Sequence, residues 1–487
     1  MRVPITRKTI QFLPDSSRVV ARFSDGGEGP VTATLNLIFD MDEAEVDRVL
    51  DQTLREFSYR HRNITKLFKR HYYRIVPLIE KMGVNTAKLS KNRSLLIGAF
   101  LTMEYALESA AFFNPSIILD TDQAYLEEGE KRVIMSFRAT GEGHISSIVF
   151  RRAIIDKNND LHQMGIGKSM DLANITHDNL YNKERFLNKM KEMKIPKKYS
   201  ETIIEGLPDF FQYDTLKNAL DEILKNTDIS EEKKQAIDEI TWLVDSYYDI
   251  EFHADSDISE RVIFPISEAE SGGIEDARFV RFTDDDGSVR FYATYTAYNG
   301  RTILPKFLAT DDFYKFRITP LRGRGALGKN LALFPKRING KYAMLSRLDG
   351  INNYIMFSDD IALWNEPILL QKPKYPWEYS KIGNCGSPIY TDEGWLIITH
   401  GVGAMRRYCI GAALFDLEDP TKEIGRLEEP LLMPLEDERE GYVPNVVYSC
   451  GSIIHHNNLI LPYAVSDYST TYAVVDLQDL FKELKRK

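Results

Sequence analysis

Two adjacent carboxylates, Glu275 and Asp276, follow a glycine pair in the run SGGIEDARFVRF (271–282). Glycines at the mouth of a strand let backbone approach a ligand closely. A carboxylate held there can protonate a leaving oxygen, provided its pKa is raised or a relay carries the proton. The same spacing also describes a turn aspartate, or a partner for Arg278, and Glu268 and Glu270 upstream read equally as solvated loop charges. A second group is basic: Lys329 in GALGKNLALFP, Arg347 in AMLSRLDG, His400 in IITHG and Arg407 in AMRRYC. Converging on one hollow, these would hold a dianion such as phosphate through charge-assisted hydrogen bonds. Taken singly, each is an ordinary surface or sheet-edge residue. A third group is polar. Asn114 in FFNPS and Arg138 in SFRATGE could bond vicinal hydroxyls, although Asn-Pro alone marks only a turn.

These residues need strands to position them, and one pattern recurs. A strand ends in a polar residue, and a second follows after a short gap. The pairs are 132–139 with 146–155, 289–298 with 301–310, 341–348 with 352–360, 394–401 with 407–416, and 458–465 with 471–477. Five such units predict a five-bladed β-propeller, because each blade needs its neighbours to bury its faces. One strand per blade then reaches a central hollow, bringing Arg138, Asp276, Arg347, His400 and Asp467 around one pocket.

The rest of the chain reads as helix. Val46, Val49, Leu50, Leu54 and Phe57 fall at helical spacing behind acidic residues, and helix is expected through 67–83 and 94–113. A Lys/Glu-rich block near 175–250 ends in a helix capped by Ser230, with Ile237, Ile240, Leu243, Val244 and Tyr247 on one face. It interrupts the repeat. The expected organisation is an N-terminal strand and helical extension (1–111), a first blade (112–157), a helical insertion (158–257) and the remaining blades (258–487).

Composition narrows the function classes. The 487 residues are 43% hydrophobic and 28% charged, with net charge −10 and no long basic run, which argues against nucleic acid as a partner. No stretch of 18 apolar residues and no apolar leader segment occurs, so a cytoplasmic, membrane-free chain is expected. Three cysteines without metal spacing read as reduced thiols, and no metal site is expected. Neither a P-loop nor HExxH is present, so nucleotide hydrolysis and zinc proteolysis lack support.

Seven separated motifs, FFNPS, MSFRATGEG, GGIEDAR, GKNLALFPKRINGKYAMLSR, GWLIITHGV, YCIGAALFDLEDP and YVPNVVYSCG, resemble glycoside hydrolase family 130, the β-mannoside phosphorylases and some β-mannosidases. The resemblance covers roughly 112–157 and 260–480. It implies a five-bladed propeller and an inverting reaction at a terminal β-mannosyl unit. Asp276 matches the family's proton donor, which is thought to act through a sugar hydroxyl. Lys329, Arg347, His400 and Tyr408 match the phosphate-binding set, and Asn114, Arg138 and Asp467 the mannose contacts, with Glu275 beside them. Ala277, Ser346 and Cys409 depart from residues common in the family, the last weakening the phosphate set. Because Lys329 and His400 are kept, phosphorolysis of a β-mannoside, preferably β-1,2-linked, to α-D-mannose 1-phosphate is expected. Inorganic phosphate would be co-substrate, with no organic cofactor or metal. A water-using β-mannosidase and a non-catalytic glycan-binding propeller are the alternatives. The partners expected are a small oligosaccharide, phosphate and a second copy of the chain.

Overall fold

The computed structural model describes residues 3–24, 26–177, 180–225 and 229–486. The architecture is mainly β. Among the described residues, five antiparallel-based sheets of four to six strands follow one another along the chain. Their first strands are Ala111–Leu119, Gly273–Thr283, Lys329–Leu333, Lys381–Asn384 and Val447–Tyr448. Each expected strand pair forms the next two strands of one sheet. The strand that opens each sheet lacked a repeat signal of its own. The outermost strand of the fifth sheet, Thr6–Arg7, comes from near the N-terminus and pairs with Ser469–Asp476.

The core sits between the sheets rather than inside them. Ile134 and Phe150 of the first sheet pack with Ile274 and Phe279 of the second. Phe282 of the second meets Leu331 and Met356 of the third. Leu345 of the third meets Trp395 and Phe415 of the fourth, and Ile398 and Leu414 of the fourth meet Leu461 and Tyr463 of the fifth. Ile460 and Tyr472 of the fifth then return to Val133 and Phe137 of the first. Both faces of each sheet are therefore buried, which explains a strand such as Gly394–Val402 that is buried along its whole length. Cys450 N–H donates to the Pro115 carbonyl at 2.8 Å, tying the fifth sheet to the opening strand of the first.

The helical regions match the sequence pattern with two corrections. The helix Glu43–Phe57 is capped by Asp42 and buries Val46 and Leu50; Ser230 caps Glu231–Asp245 through Lys233 N–H. The helix expected over 94–113 ends at Phe100. Thr102–Glu108 is a strand paired with Asp15–Phe23, and Ala111 already opens the first sheet. Met, Glu, Ala and Leu favour helix locally, but cross-strand pairing overrides so weak a preference. The block expected as a helical insertion over 158–257 is helical only between Lys183 and Asp245. At its margins Leu161–Gln163 and Asp171–Leu172 join the first sheet, and Asn174–Thr176 and Tyr248–Glu251 the second. The helices have their own apolar cluster, which includes Phe186, Ile204, Leu216 and Ile240. A separate cluster around Leu35, Phe68 and Leu96 holds the N-terminal helices.

Candidate active site

Three opening strands carry the same irregularity. Pairing slips between Phe113 and Ser116, between Glu275 and Arg278, and between Lys329 and Ala332. Each bulge holds a non-glycine residue in the left-handed region: Asn114 (φ 50°), Asp276 (φ 54°) and Asn330 (φ 61°). Asn and Asp tolerate that conformation best, and bulges of this kind re-aim side chains beside functional sites. Ser466 and Asp467, in the turn between the strands Asn458–Val465 and Ser469–Asp476, share it (φ 49° and 51°). Gly273 (φ 121°) leaves no room for a Cβ, which would lie 2.5 Å from Ser146 Oγ.

The bulges bring the predicted residues together. Asn114 Nδ2 donates to Asp276 Oδ1 at 2.6 Å. Glu275 accepts from Arg138 Nη2 at 3.3 Å through one oxygen and from Lys329 Nζ at 2.7 Å through the other. Arg138 also stands 4.0 Å from Asp276. Asp467 completes the acidic side: burial, with Asp276 and Glu275 close by, pushes its carboxyl up to about 6, against the pull of Arg138 and Arg406. Hence Asp467 titrates where the other acids of an ordinary surface would already be ionised.

The basic side differs from expectation in one respect. Lys329 and Arg347 are register partners on adjacent strands. Arg347 Nη1 lies 3.0 Å from His400 Nε2, whose other ring nitrogen, Nδ1, is 3.1 Å from the Asn384 carbonyl. His400 is fully buried, and burial beside Arg347 and Arg278 holds its pKa well below the usual histidine value. The ring is therefore neutral, with Nδ1–H donating to Asn384 and Nε2 accepting from Arg347. It is not the cation that the sequence suggested; it orients one. Tyr408 stacks on it at 6.1 Å between ring centroids, and Lys381 Nζ lies 5.8 Å from the Tyr408 ring. Lys381, which the sequence reading did not single out, adds positive charge beside Tyr408. The close approach expected at Gly401 serves the Trp377 ring, 2.6 Å from where its Cβ would be.

Beneath these groups lies a buried polar hub that sequence reasoning missed. Arg278 does not pair with Asp276. Its Nη1 donates to the Asn384 side chain at 2.7 Å and backbone at 3.0 Å, and its Nη2 to Tyr448 Oη at 2.6 Å. Asn330 Nδ2 reaches the same hydroxyl at 2.7 Å, and Asn384 Nδ2 donates to the Asn330 carbonyl at 2.8 Å. Four sheets thereby meet in one hydrogen-bonded network around Arg278. Glu270 also departs from its expected solvated state: it is fully buried, bonded to Lys306, Tyr248 and Tyr295, and lies near 2 despite burial because Lys306 and these donors stabilise its charge. Cys385, Cys409 and Cys450 are buried and free of disulfides. Among the described residues no His, Cys, Asp and Glu cluster is arranged to hold a metal.

Around the hollow, Asn114 Oδ1, Arg138 Nε, Asn330 Oδ1 and Arg347 Nε are buried without a hydrogen-bond partner. Such groups are costly unless something satisfies them, and four at one site mark a polar-ligand pocket. Carboxylates on one side and guanidinium and ammonium groups on the other define a site able to donate a proton and hold an anion. The family model described as β-1,4-mannooligosaccharide phosphorylase, Glyco_hydro_130, matches residues 233–486. The chain belongs to glycoside hydrolase family 130. A 1,2-β-oligomannan phosphorylase of Thermoanaerobacter sp. (strain X514) is 36% identical over 227 residues, covering 44% of this chain and 72% of that protein. A β-1,2-mannobiose phosphorylase of Listeria innocua is 32% identical over 235 residues, covering 46% of this chain and 63% of that protein. Among solved structures, the β-1,2-mannobiose complex of a Listeria innocua β-1,2-mannobiose phosphorylase aligns at TM-score 0.44 and 21% identity, over 78% of this chain and 93% of that one.

Proposed function

We propose that this chain is an inverting phosphorylase that converts a β-1,2-linked manno-oligosaccharide and phosphate into α-D-mannose 1-phosphate and a shortened acceptor. The observation that carries the reading is the opposition of Asp276, held by Asn114, to the Lys329, Arg347 and Lys381 set braced by His400 and Tyr408. A phosphate oxygen attacks the anomeric carbon from the α face as the bond to the glycosidic oxygen breaks. Asp276 supplies the proton that the departing oxygen takes up, directly or through a sugar hydroxyl. One acid and an external nucleophile suffice for inversion. Asn114, Arg138, Glu275 and Asp467 hold the mannosyl unit. Arg347 and Lys329 neutralise the phosphate, while His400 fixes the Arg347 fork.

The β-1,2 linkage follows the names of the relatives with the longest matches, although the family model is described by the β-1,4 activity. The five sheets with shared cores support a five-bladed propeller. No helix among the described residues is long and apolar enough to cross a membrane, in keeping with action in the cytoplasm on an imported sugar. A second copy of the chain remains the proposed protein partner, checked by the mass in solution.

Incubation with β-1,2- and β-1,4-mannobiose, each with and without phosphate, tests the reading. Mannose 1-phosphate formed from the β-1,2 disaccharide only when phosphate is present is the expected result. Free mannose released equally with and without phosphate would replace it with a β-mannosidase.

A further inference from the structure

Away from Asp276, two adjoining cavities of about 390 and 530 Å³ open between the helix Ile64–Lys81 and the outer strands of the first two sheets. Ala21, Arg70 and Leu172 line both, and none of Asn114, Arg138, Glu275 or Asp276 lines either. One side is cationic. The helix places Lys66, Lys69 and Arg70 on the first cavity and Arg70 and Arg74 on the second, where Arg22 faces them from the strand Asp15–Phe23.

Among the described residues, Arg22, Lys66, Lys69, Arg70 and Arg74 make no ion pair, although the chain carries ten net negative charges. The neighbouring acids bond to other groups: Asp171 to His253 at 2.7 Å, Glu104 to Arg60, and Asp255 and Glu260 to Arg62. Arg70 and Arg74 stand one helical turn apart, a like-charge spacing that weakens a helix. Burial and these two arginines push the buried His71 down to about 4, so the ring adds no charge of its own. Two guanidinium groups are nevertheless set in place. Arg74 lies 4.3 Å from the Phe23 ring centroid, and Arg22 packs on Phe264 at 4.6 Å and Tyr105 at 4.9 Å. Stacking on a ring face leaves the N–H edges of a guanidinium available for bidentate bonds to an oxyanion.

We propose that this cleft binds a phosphate monoester of a small organic molecule, with Arg70 and Arg74 on the phosphate and Arg22 and Lys66 in support. A monoester dianion matches paired guanidinium groups. The volumes lie in the range of small-molecule sites, and inorganic phosphate would leave the wall of Leu172, Ile175, Ile250 and Pro265 uncovered. A sugar phosphate and a nucleoside monophosphate share this chemistry. The site is independent of the phosphorylase reading and uses none of its residues.

Calorimetric titration with glucose 6-phosphate, AMP, inorganic phosphate and the uncharged glucose and adenosine tests the proposal. At least one ester should bind more tightly than inorganic phosphate, with the uncharged compounds silent; which ester binds identifies the organic part. The double variant R70A/R74A should weaken that ester by about tenfold or more, since losing charge-assisted bonds costs at least that. Arg347→Ala, which removes a guanidinium from the proposed phosphate side of the Asp276 site, should bind the ester as wild type does, and an ester lost with Arg347 would place its binding there and overturn the proposal. Should the double variant lose its thermal transition, Arg74→Gln alone, on an exposed side chain, serves the same comparison. Ester affinity no better than that of phosphate, or unchanged by the arginine variants, overturns the proposal.

Discussion

At the scale of single residues, Asp276 and Asp467 divide the acidic work by environment. Asp276 accepts from Asn114 and faces Arg138, whereas Asp467 is held protonated to higher pH by burial and by its acidic neighbours. Asp276→Asn should retain the fold and mannoside affinity while turnover falls about 10²–10⁴-fold. Near-native turnover on an unactivated mannoside would remove Asp276 from the mechanism. Asp467 yields a pH prediction with a definite sign. Its carboxyl is raised to about 6 in the fold, so its protonated form is favoured there, and stability is lost as pH rises from about 4 through 6. Asp467→Asn should therefore be more stable than wild type at pH 8, by about 1–3 kcal/mol, with the gap closing near pH 4, as followed by denaturant unfolding. Because the carboxylate accepts from sugar hydroxyls more strongly than the neutral acid does, the wild-type mannoside KM should also climb below about pH 6.

Elements set what these residues can do. Bulges in three successive opening strands turn Asn114, Asp276 and Asn330 inward by the same left-handed step, so one backbone device is used three times. On the opposite side, the strand Lys381–Asn384 must pass His400 with no side chain at Gly383. A Cβ there would sit 2.6 Å from His400 Cε1 and 3.4 Å from Arg347 Nη1. Gly383→Ala should displace the His400 ring and the Arg347 guanidinium, cost about 1–3 kcal/mol as overpacking does, and raise the phosphate KM more than the mannoside KM. His400→Ala should do the same through Arg347, because a neutral buried ring positions the guanidinium rather than meeting phosphate with its own charge. Equal changes in both KM values for the two variants would separate Arg347 from phosphate binding. Steady-state kinetics with each substrate varied in turn provides the measurement.

For the whole molecule, stability is shared around a circuit of inter-sheet cores, while the two helical blocks keep cores of their own. The block Lys183–Asp245 is joined to the sheets by Lys189, whose Nζ donates to the Leu321 carbonyl at 2.7 Å, and by Glu192, which accepts from Gly323 N–H at 2.8 Å. Ile240, fully buried in that block, should cost about 2–5 kcal/mol when cut to alanine. Hydrogen exchange should then quicken over the helices first and leave the strands Val289–Tyr298 and Gly394–Val402 protected. Uniform loss of protection would mean that helices and sheets unfold as one unit. The N-terminal strand pair Asp15–Phe23 and Thr102–Glu108 has a closer link to the site: Tyr105 Oη donates to the Glu142 carbonyl at 2.8 Å, steadying the turn that follows Arg138.

Local chemistry was enough to determine the strand pairs and the cap at Ser230, because alternation and capping act over a few residues, whereas the grouping of Asn114, Arg138, Glu275, Asp276, Lys329, Arg347, His400 and Tyr408 was legible only through the strand repeat and the family resemblance. What local chemistry could not carry was anything set by contacts distant in the chain. The strand Thr102–Glu108 reads as helix until Asp15–Phe23 lies beside it. Glu270 reads as a solvated loop acid until Lys306, 36 residues away, meets it in the core. His400 reads as a cation until burial and Arg347 remove its proton, and Arg278 reads as a partner for Asp276 until the bulge turns the two apart and Asn384 and Tyr448 claim it. Charge state and hydrogen-bond partner depend on desolvation and on neighbours from other sheets, and only the tertiary structure supplies both.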